Sequence, residues 1–394
     1  MYQRSIYPQL KEHLNQKTIT VLTGMRRTGK TTIIKQLLKD VPSKNFLYID
    51  LERLDQRELF SEKNYDNIIR TLEQRGLRFT ERAYIALDEI QLVKELPSAI
   101  KYLYDHYDIK WILTGSSSYY IKHLFTESLA GRKKIFELFP LNFSEFLTFK
   151  EVPHQANAMH NLLSAPIQVA EYERLKSYYE EYISYGGFPE VILATDNTIK
   201  EDILSDIINS YINIDIRTLS DFRNERFIHQ LMKALASRTG TRLDYSKLAS
   251  VVGASRITVR NYVDLFEKTY LISRVSVYTH NVDREIVKAQ KIYFCDNGLL
   301  RMLADVDSGS AFENAVYHQL RSFGDVRYYA LKTGKEIDFV LNEKIALEAK
   351  ETPTESDEKK LHAMAQHAKL NTTRLIGRNF SPTFTEYLWG GMIR

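Results

Sequence analysis

The sequence has a single cysteine, Cys295, and only nine prolines among its 394 residues. One cysteine excludes a disulfide framework and any cysteine-based zinc site, and it suggests a reducing compartment. No apolar run approaches the roughly 18 residues that a membrane span needs, and the first residues lack the apolar core of a signal peptide. We therefore expect a cytoplasmic protein with no membrane partner.

The sequence also lacks a large excess of positive or negative charge, because 54 basic residues nearly balance 50 acidic ones and leave a net charge of +4. This small excess does not by itself predict a polyanionic partner, although it leaves nucleic acid possible. Hydrophobic residues make up 44% of the chain, which excludes a disordered or fibrous protein. The length is sufficient for two or three globular domains.

Short apolar runs alternate with polar, helix-periodic stretches over the first 150 residues. This alternation is typical of βαβ units and predicts an α/β domain built on a parallel sheet that is covered on both faces. The expected strands are residues 18–23, 45–50, 84–88, 110–114 and 134–139. The next 90 or so residues favour helices, with an interruption at the Gly186-Gly187-Phe188-Pro189 segment.

A glycine-rich loop follows the first expected strand and begins an amphipathic helix. Its sequence, GMRRTGKT, fits the pattern G-x-x-x-x-G-K-[ST]. The glycines let successive N–H groups face a phosphate at the positive end of the helix, Lys30 can reach the β- and γ-phosphates of ATP, and the Thr31 hydroxyl can coordinate Mg²⁺. The predicted ATP-binding residues of this loop are Gly24, Met25, Arg26, Arg27, Thr28, Gly29, Lys30, Thr31 and Thr32.

Two acidic residues, Asp88 and Glu89, end another expected strand. An acid at the carboxyl end of a buried parallel strand lies at the sheet edge where ligands bind. Asp88 is therefore predicted to hold Mg²⁺, and Glu89 to orient and deprotonate the attacking water. Ser116 follows the neighbouring strand, where it could contact the γ-phosphate or cap a helix.

Arg132 immediately precedes the last expected strand of the first 150 residues. An arginine at this place could act on the γ-phosphate of a neighbouring subunit, as arginine fingers do. A lone arginine is more often a solvated surface residue, so the position by itself leaves both roles open.

Five segments, GMRRTGKTT, ALDEIQ, LTGSSS, SLAGRKKIFELFPLNFSEF and YGGFPEV, occur in this order along the chain. Together they resemble the prokaryotic AAA-type ATPases of unknown cellular role, whose C-terminal region carries a winged helix and a restriction-endonuclease-like fold. The resemblance implies that Arg132 is the arginine finger and that subunits assemble in a ring or side by side. We expect an AAA-type domain over residues 1–150, a helical lid over 151–223, a winged helix over 224–304 and a nuclease-like domain over 305–394.

Residues 243–252 and 255–270 have the pattern of two helices joined by a glycine turn, as in a helix-turn-helix. Ser255 is the expected N-cap, and Arg256 and Arg260 lie one turn apart on the outer face, where they could contact DNA. The following segment alternates like a β-hairpin, and its basic residues Arg284, Lys288 and Lys291 could lie along a DNA backbone. The same fold often binds proteins, so a protein partner is an alternative.

The segment KEIDFVLNEKIALEAK, residues 335–350, predicts a β-hairpin with a three-residue loop. In that register Asp338 faces Glu348 and Glu336 faces Lys350, all on one face. Two opposed carboxylates are destabilising unless a positive charge lies between them, and Mg²⁺ could supply it.

These residues resemble the D…ExK core of restriction-endonuclease-like nucleases, with Lys350 orienting a water and Glu313 contributed by a preceding helix. The acids could instead form a solvated face relieved by nearby lysines, the register could differ, or the fold could serve binding alone.

Three functions are compatible with this sequence. The first is an ATP-hydrolysing machine that engages DNA through its C-terminal half. The second is an ATP-driven switch whose C-terminal half binds a protein, and the third is a nuclease gated by ATP. The predicted cofactors are ATP and Mg²⁺.

Overall fold

The computed structural model describes residues 2–116, 129, 131–155, 168–217, 225–279, 281, 283, 285, 288–331 and 333–394. The chain folds into two compact units. The first comprises Gln3–Phe139 and Lys268–Tyr270, and the second comprises Pro140–Glu267 and Leu271–Arg394. None of the helices within these described residues is both long and apolar enough to cross a membrane.

A five-stranded parallel sheet forms the centre of the first unit, as the sequence predicted. Its strands are β1 (Ile19–Thr23), β2 (Phe46–Asp50), β3 (Ala83–Asp88), β4 (Ile109–Gly115) and β5 (Lys133–Glu137). They are arranged in the order β2-β3-β4-β1-β5. Each strand lies within two residues of the predicted bounds. The central strands β1, β3 and β4 are buried along their whole length, and such a run of apolar residues is a strong local signal.

Helices cover both faces of this sheet. They span Tyr7–His13, Lys30–Lys39, Leu54–Phe60, Tyr65–Gln74 and Leu96–His106. Alternate residues of β1 enter different cores, since Val21 packs with Trp111 on one side and Leu22 packs with Leu37 on the other. The carboxyl ends of the parallel strands therefore meet at one sheet edge, where ligands bind in open α/β folds.

The second unit begins with a series of helices, the first three of which share a core with aromatic residues that include Phe143, Tyr179 and Trp389. These helices span Phe143–Phe149, Val169–Tyr185, Pro189–Leu193, Asn197–Ser210 and Glu225–Ala236, with π-helical residues Tyr211–Ile216. The predicted interruption is confirmed, because Gly186 has a φ of 76° and ends one helix while Pro189 begins the next.

Two helices joined by a tight turn follow, as predicted. Asp244 caps the helix Tyr245–Val252, and Gly253 leaves it in the left-handed conformation. The next helix, Arg256–Lys268, begins after Ser255, whose Oγ accepts a hydrogen bond from the Thr258 N–H at 3.0 Å. The predicted N-cap is thereby confirmed.

A two-stranded antiparallel sheet, β6 (Ile272–Val275) with β7 (Lys291–Phe294), follows these helices. The expectation that Lys291 lies along DNA is wrong, since this side chain is 1% exposed. Its buried position on β7 places it among carboxylates rather than in solvent. Arg284 lies outside the described residues.

The C-terminal part of the second unit is a mixed sheet with the order β12-β11-β10-β9-β8. Its strands are β8 (Val326–Ala330), β9 (Glu336–Leu341), β10 (Ile345–Lys350), β11 (Thr372–Gly377) and β12 (Leu388–Trp389). Helices Asn297–Leu303 and Ser308–Leu320 precede it, and Glu355–Ala368 connects β10 to β11. Leu341 pairs with Ile345 and Phe339 with Leu347, which confirms the predicted hairpin loop and register.

Candidate functional site

The glycine-rich loop lies between β1 and the helix Lys30–Lys39, and both of its glycines are required. Gly24 has a φ of 154°, and a Cβ atom there would lie 2.0 Å from the Leu138 carbonyl oxygen. Gly29 has a φ of 97° at the N-cap of the helix. The loop can therefore curl tightly enough for its N–H groups to face an anion.

The Lys30 side chain is buried beneath this loop. Its Nζ atom donates hydrogen bonds to the Gly24 and Met25 carbonyl oxygens, at 2.8 and 2.9 Å. Thr28 Oγ1 also donates to the Met25 carbonyl oxygen, at 2.9 Å. These bonds hold the loop in its curled shape and keep a positive charge at its centre.

The other predicted loop residues differ in exposure. Met25 is buried, Arg27 is exposed with a left-handed φ of 62°, and Thr32 is exposed. Arg26 lies between Glu52 and Glu89, at 3.5 and 4.0 Å. The structure thus places the Arg26 charge at the carboxyl edge of the sheet, next to the predicted catalytic acid.

Asp88 is the centre of a group of hydroxyls at the end of β3. Thr31 Oγ1 donates to its carboxylate at 2.6 Å, Tyr48 OH donates at 2.9 Å, and Thr114 Oγ1 donates to the other oxygen. Burial and the neighbouring Asp88 charge raise the pKa of Tyr48, so this phenol remains a hydrogen-bond donor. The sequence predicted the Thr31–Asp88 pair, whereas the role of Tyr48 depends on which strand lies beside β3.

Glu89 follows in a left-handed conformation, with a φ of 55°. Gln91 Nε2 donates to the Glu89 carboxylate and also to Ser116 Oγ, at 3.0 Å for the latter. The Gln91 Oε1 atom is buried and accepts no hydrogen bond from the described residues. Gln91 therefore connects the predicted catalytic acid to the predicted γ-phosphate contact, a link that sequence reasoning missed.

Magnesium fits the donors at this edge of the sheet. Thr31 and Asp88 offer a hydroxyl and a carboxylate 2.6 Å apart, and Mg²⁺ prefers such oxygen ligands together with water and phosphate oxygens.

Arg132 lies far from Lys30 in its own chain. It precedes β5, and its carbonyl oxygen accepts a hydrogen bond from the Ile19 N–H at the beginning of β1. This is the amino-terminal edge of the sheet, opposite the loop. The guanidinium forms an ion pair with Asp105 at 3.2 Å, so the structure does not bring Arg132 to the ATP-binding residues of the same chain.

The C-terminal carboxylates surround a buried ammonium group. Lys291 Nζ lies 3.0 Å from Glu336, 3.2 Å from Glu313 and 3.5 Å from Asp338. Although burial lowers the pKa of Lys291, these three acids together raise it above its usual value, so the lysine is charged. Tyr293 OH also donates to Glu313, at 2.6 Å.

The opposed pair of the hairpin is satisfied by protein donors as well. The Asp338 N–H donates to Glu348 at 3.2 Å, and the Ala349 N–H donates to Asp338 at 3.1 Å. Lys350 Nζ donates to Glu348 at 2.9 Å. Burial and the Asp338 charge raise the pKa of Glu348, and the same causes raise that of Glu313, while Lys350 and Lys291 respectively oppose the shift.

A divalent cation does not fit the C-terminal carboxylates in this arrangement, because the Lys291 ammonium group occupies the place between them and already neutralises their charge. Nor do the described ranges contain a group of three or more acidic, histidine or cysteine side chains arranged to hold a metal ion. The second metal site at Asp338 and Glu348 stays a prediction that the donor set does not support.

The predicted DNA contacts are accessible. Ser255, Arg256 and Arg260 are all exposed at the beginning of the helix Arg256–Lys268, and the Arg260 guanidinium lies over the Tyr245 ring at 5.5 Å. Ile257, between the two arginines, is 73% exposed. These side chains are thus able to reach a partner.

Two family models match the chain. Residues 16–147 match a model described as an AAA domain, and residues 176–310 match a domain of unknown function, DUF8612. An uncharacterized protein of Haemophilus influenzae is 26% identical over 93% of this chain and 91% of its own length. An uncharacterized protein of Methanocaldococcus jannaschii is 28% identical over 82% and 72% of the respective chains.

A solved structure shares the fold. The Walker-type ATPase of Pyrococcus abyssi is 17% identical, with a TM-score of 0.51 over 77% of this chain and 96% of its own. The parallel sheet, the loop that follows β1 and the family match agree with one another. The first part of the chain, over residues 16–147, matches an AAA domain and has the fold of P-loop ATPases.

Proposed function

We propose that this protein binds ATP with Mg²⁺ and hydrolyses it. One observation carries the proposal: Lys30 is held at the centre of the glycine loop, and the adjacent Thr31 hydroxyl is bonded to Asp88 on another strand. This brings an ammonium group, a hydroxyl and a carboxylate to the beginning of one helix, and this combination serves phosphoryl transfer.

The chain's own residues account for binding and positioning. Loop N–H groups and the N-terminus of the helix Lys30–Lys39 bind the phosphates, and Lys30 exchanges its carbonyl partners for the β- and γ-phosphate oxygens. Thr31 and Asp88 would hold Mg²⁺, which would supply positive charge beside the phosphates. Glu89 accepts a proton from the attacking water, and Ser116, whose Oγ accepts a hydrogen bond from Gln91 at 3.0 Å, is assigned to the γ-phosphate side.

Arg132 is proposed to act on a neighbouring subunit in a homo-oligomer. Its place at the opposite edge of the sheet from Lys30 supports this, since an arginine there can reach only another copy's ATP. If the ion pair with Asp105 breaks, the guanidinium becomes available for that contact.

The C-terminal half is proposed to engage DNA. Three helices followed by the β6–β7 sheet have the order of a winged helix, and Arg256 and Arg260 are exposed at the beginning of its second helix-turn-helix element. The mixed sheet that holds Asp338, Glu348, Lys350 and Glu313 is proposed to be nuclease-like in fold. Since Lys291 neutralises its acids, we assign this part to binding and not to cleavage.

A protein partner is the second candidate. Val251 and Ile257 are 62% and 73% exposed, one on each helix of the helix-turn-helix, and a protein partner would cover such apolar side chains. In this case the protein would be an ATP-driven cytoplasmic switch without a nucleic-acid ligand.

ATP turnover measured with Mg²⁺, with and without duplex or single-stranded DNA, tests the proposal. Lys30→Ala should abolish turnover, because no other side chain of the loop places an ammonium group at its centre. The control is Lys39→Ala, at the last residue of the same helix. Unchanged turnover in a folded Lys30→Ala variant would contradict hydrolysis at this loop, and turnover indifferent to both DNAs would favour the protein partner.

A further inference from the structure

A cleft of about 940 Å³ lies in the second unit beside the helix-turn-helix. Its walls come from the first turns of the helices Tyr245–Val252 and Arg256–Lys268, from β6 and from the residues before β7. Of its basic residues, Arg256, Arg260 and Lys288 were predicted from the sequence to contact DNA, and Arg242, Lys247 and Arg274 were not. The basic lining residues come from parts of the sequence that are up to 46 residues apart, from Arg242 to Lys288, so only the fold brings them together.

Positive charge is concentrated in this cleft. Among the lining residues that the structure describes, only Asp244 and Glu285 are acidic. The basic lining residues are Arg242, Lys247, Arg256, Arg260, Arg274 and Lys288. The excess of four positive charges equals the net charge of the whole chain, so acidic and basic residues balance elsewhere. The net charge of the whole chain is therefore small although the cleft has a local excess of positive charge.

The basic residues differ in their role. Arg274 is held by Asp264 at 2.7 Å and by Glu267, so it supports the wall. Lys247 is 81% exposed and lies 4.0 Å from Asp244, a distance that leaves the ammonium group accessible. Arg260 lies over the Tyr245 ring, which orients its planar guanidinium.

We infer that this cleft binds the sugar–phosphate backbone of a nucleic acid, with Arg242, Lys247 and Lys288 added to Arg256 and Arg260. The inference rests on the proposed engagement of DNA and specifies the surface that performs it. Cations spread over several elements suit a chain of phosphates better than one small anion, and arginine and lysine together provide most phosphate contacts in such complexes.

Arg242 connects the cleft to the buried carboxylates. Its guanidinium lies 3.7 Å from Glu336, and Glu336 in turn accepts from Lys291 at 3.0 Å. A phosphate in the cleft therefore competes with Glu336 for Arg242. Removal of the Glu336 charge should strengthen nucleic-acid binding, an effect that a contact confined to the recognition helix would not produce.

Fluorescence anisotropy of the full-length protein with a labelled duplex and with its single strand, over a series of salt concentrations, tests the cleft. The cleft variant combines Arg242→Ala, Lys247→Ala and Lys288→Ala. The control variant combines Lys176→Ala, Lys359→Ala and Lys360→Ala, which removes three exposed positive charges from the same unit outside the cleft.

The cleft variant should bind at least about tenfold more weakly, with a salt slope reduced by about 2 to 3, because each lost phosphate contact removes close to one unit. The control should bind within about twofold of the wild type, where lost long-range attraction is screened. Glu336→Gln should bind more tightly. Thermal unfolding and ATP turnover of each variant check that it is folded.

The outcomes separate the cleft from the proposed function. If the cleft variant binds like the wild type while Arg256→Ala with Arg260→Ala loses binding, DNA engagement stands and the cleft is wrong. If the wild type binds neither DNA at low salt, both fail. If polyglutamate competes as well as DNA and the cleft variant loses both ligands equally, the cleft is a surface for acidic proteins and the nucleic-acid assignment is overturned.

Discussion

Gln91 shows how a single side chain can organise the carboxyl edge of a sheet. Its amide group donates to Glu89 and to Ser116, so one residue fixes the distance between a proton acceptor and a hydroxyl. The buried Oε1 atom is an acceptor that the described residues leave unsatisfied, at a place where a water bonded to Glu89 could donate to it. Both properties are those of a residue that positions the attacking water.

We expect Gln91→Ala to lower the kcat of ATP hydrolysis about tenfold to a hundredfold, because small displacements of a catalytic group have effects of this size. Affinity for ATP should change little, since Gln91 contacts neither Lys30 nor Thr31 in the structure. Steady-state turnover, together with the binding of a fluorescent nucleotide, measures the two effects separately.

Gln74→Ala, at an exposed position in the first unit, is the control for loss of a glutamine amide. If Gln91→Ala weakened nucleotide binding and left kcat unchanged, the side chain would support the loop and would not position water.

The sequence predicts some of these residues and not others, for a physical reason. Lys30, Thr31 and Asp88 belong to patterns that are read along the chain, so their types and spacing suffice. Tyr48 reaches Asp88 only because β2 lies beside β3. Strand order is a property of the folded sheet, and the apolar runs of the sequence leave it open.

At the scale of secondary-structure elements, the sequence predicts only part of the carboxylate cluster. The hairpin register and the opposed acids were predictable because strand side chains alternate with period two. The cation that relieves them was not, because Lys291 comes from β7, 47 residues before Asp338 in the sequence. From the sequence, a lysine in an alternating, partly polar strand is expected at the surface. Its burial depends on contacts with residues that are distant in the sequence.

Lys291→Met should lower the free energy of unfolding by about 3–5 kcal/mol, because it leaves buried carboxylates without a compensating charge. Adding Glu313→Gln should restore part of this loss, since it removes one of the unpaired acids. Denaturant unfolding of the two single variants, the double variant and the wild type gives the coupling energy.

Lys288→Met, in a partly exposed residue of the adjoining segment, provides the comparison and should have little effect. Calorimetric titration with Mn²⁺ adds an independent measurement, in which the wild-type cluster should not bind the ion. Binding that required Glu313 and Asp338 in the wild type would show that Lys291 gives way to a metal, contrary to our assignment.

The two glycines of the GGFPE segment, residues 186–190, lie against the carboxylate of Asp296. A Cβ atom on Gly186 would lie 2.1 Å from the Asp296 carboxylate, and the Gly187 N–H donates to that carboxylate at 2.6 Å. Burial raises the pKa of Asp296 to about 6, although these backbone donors lower it. The two glycines thus let the helix Val169–Tyr185 end against Asp296, which is the N-cap of the helix Asn297–Leu303.

Gly186→Ala should therefore destabilise the protein by more than the roughly 1–3 kcal/mol that a strained left-handed φ costs. Gly76→Ala separates the two causes, because Gly76 also has a positive φ but nothing within 4 Å of its hypothetical Cβ atom. Urea denaturation of both variants provides the comparison. Equal losses would mean that the Asp296 contact adds nothing to backbone strain.

On the scale of the whole molecule, the resemblance of the sequence to AAA-type ATPases implies assembly, and the position of Arg132 makes that testable. One copy holds Lys30 at one edge of its sheet and Arg132 at the other. If the guanidinium completes the site of a neighbour, a complete site needs two copies. Within one chain, the Arg132 guanidinium pairs with Asp105 and lies over the Tyr104 ring.

Arg132→Ala should reduce turnover about a thousandfold, the low end of the effect of arginine fingers, with ATP binding retained. Because a finger acts on another copy, mixing this variant with inactive Lys30→Ala should recover turnover at sites that combine the intact loop of one with Arg132 of the other. Asp105→Ala is the control: it breaks the same ion pair, and a finger role predicts that it leaves turnover largely intact. Loss of activity in Asp105→Ala, with no recovery in the mixture, would assign Arg132 to the stability of its own sheet edge.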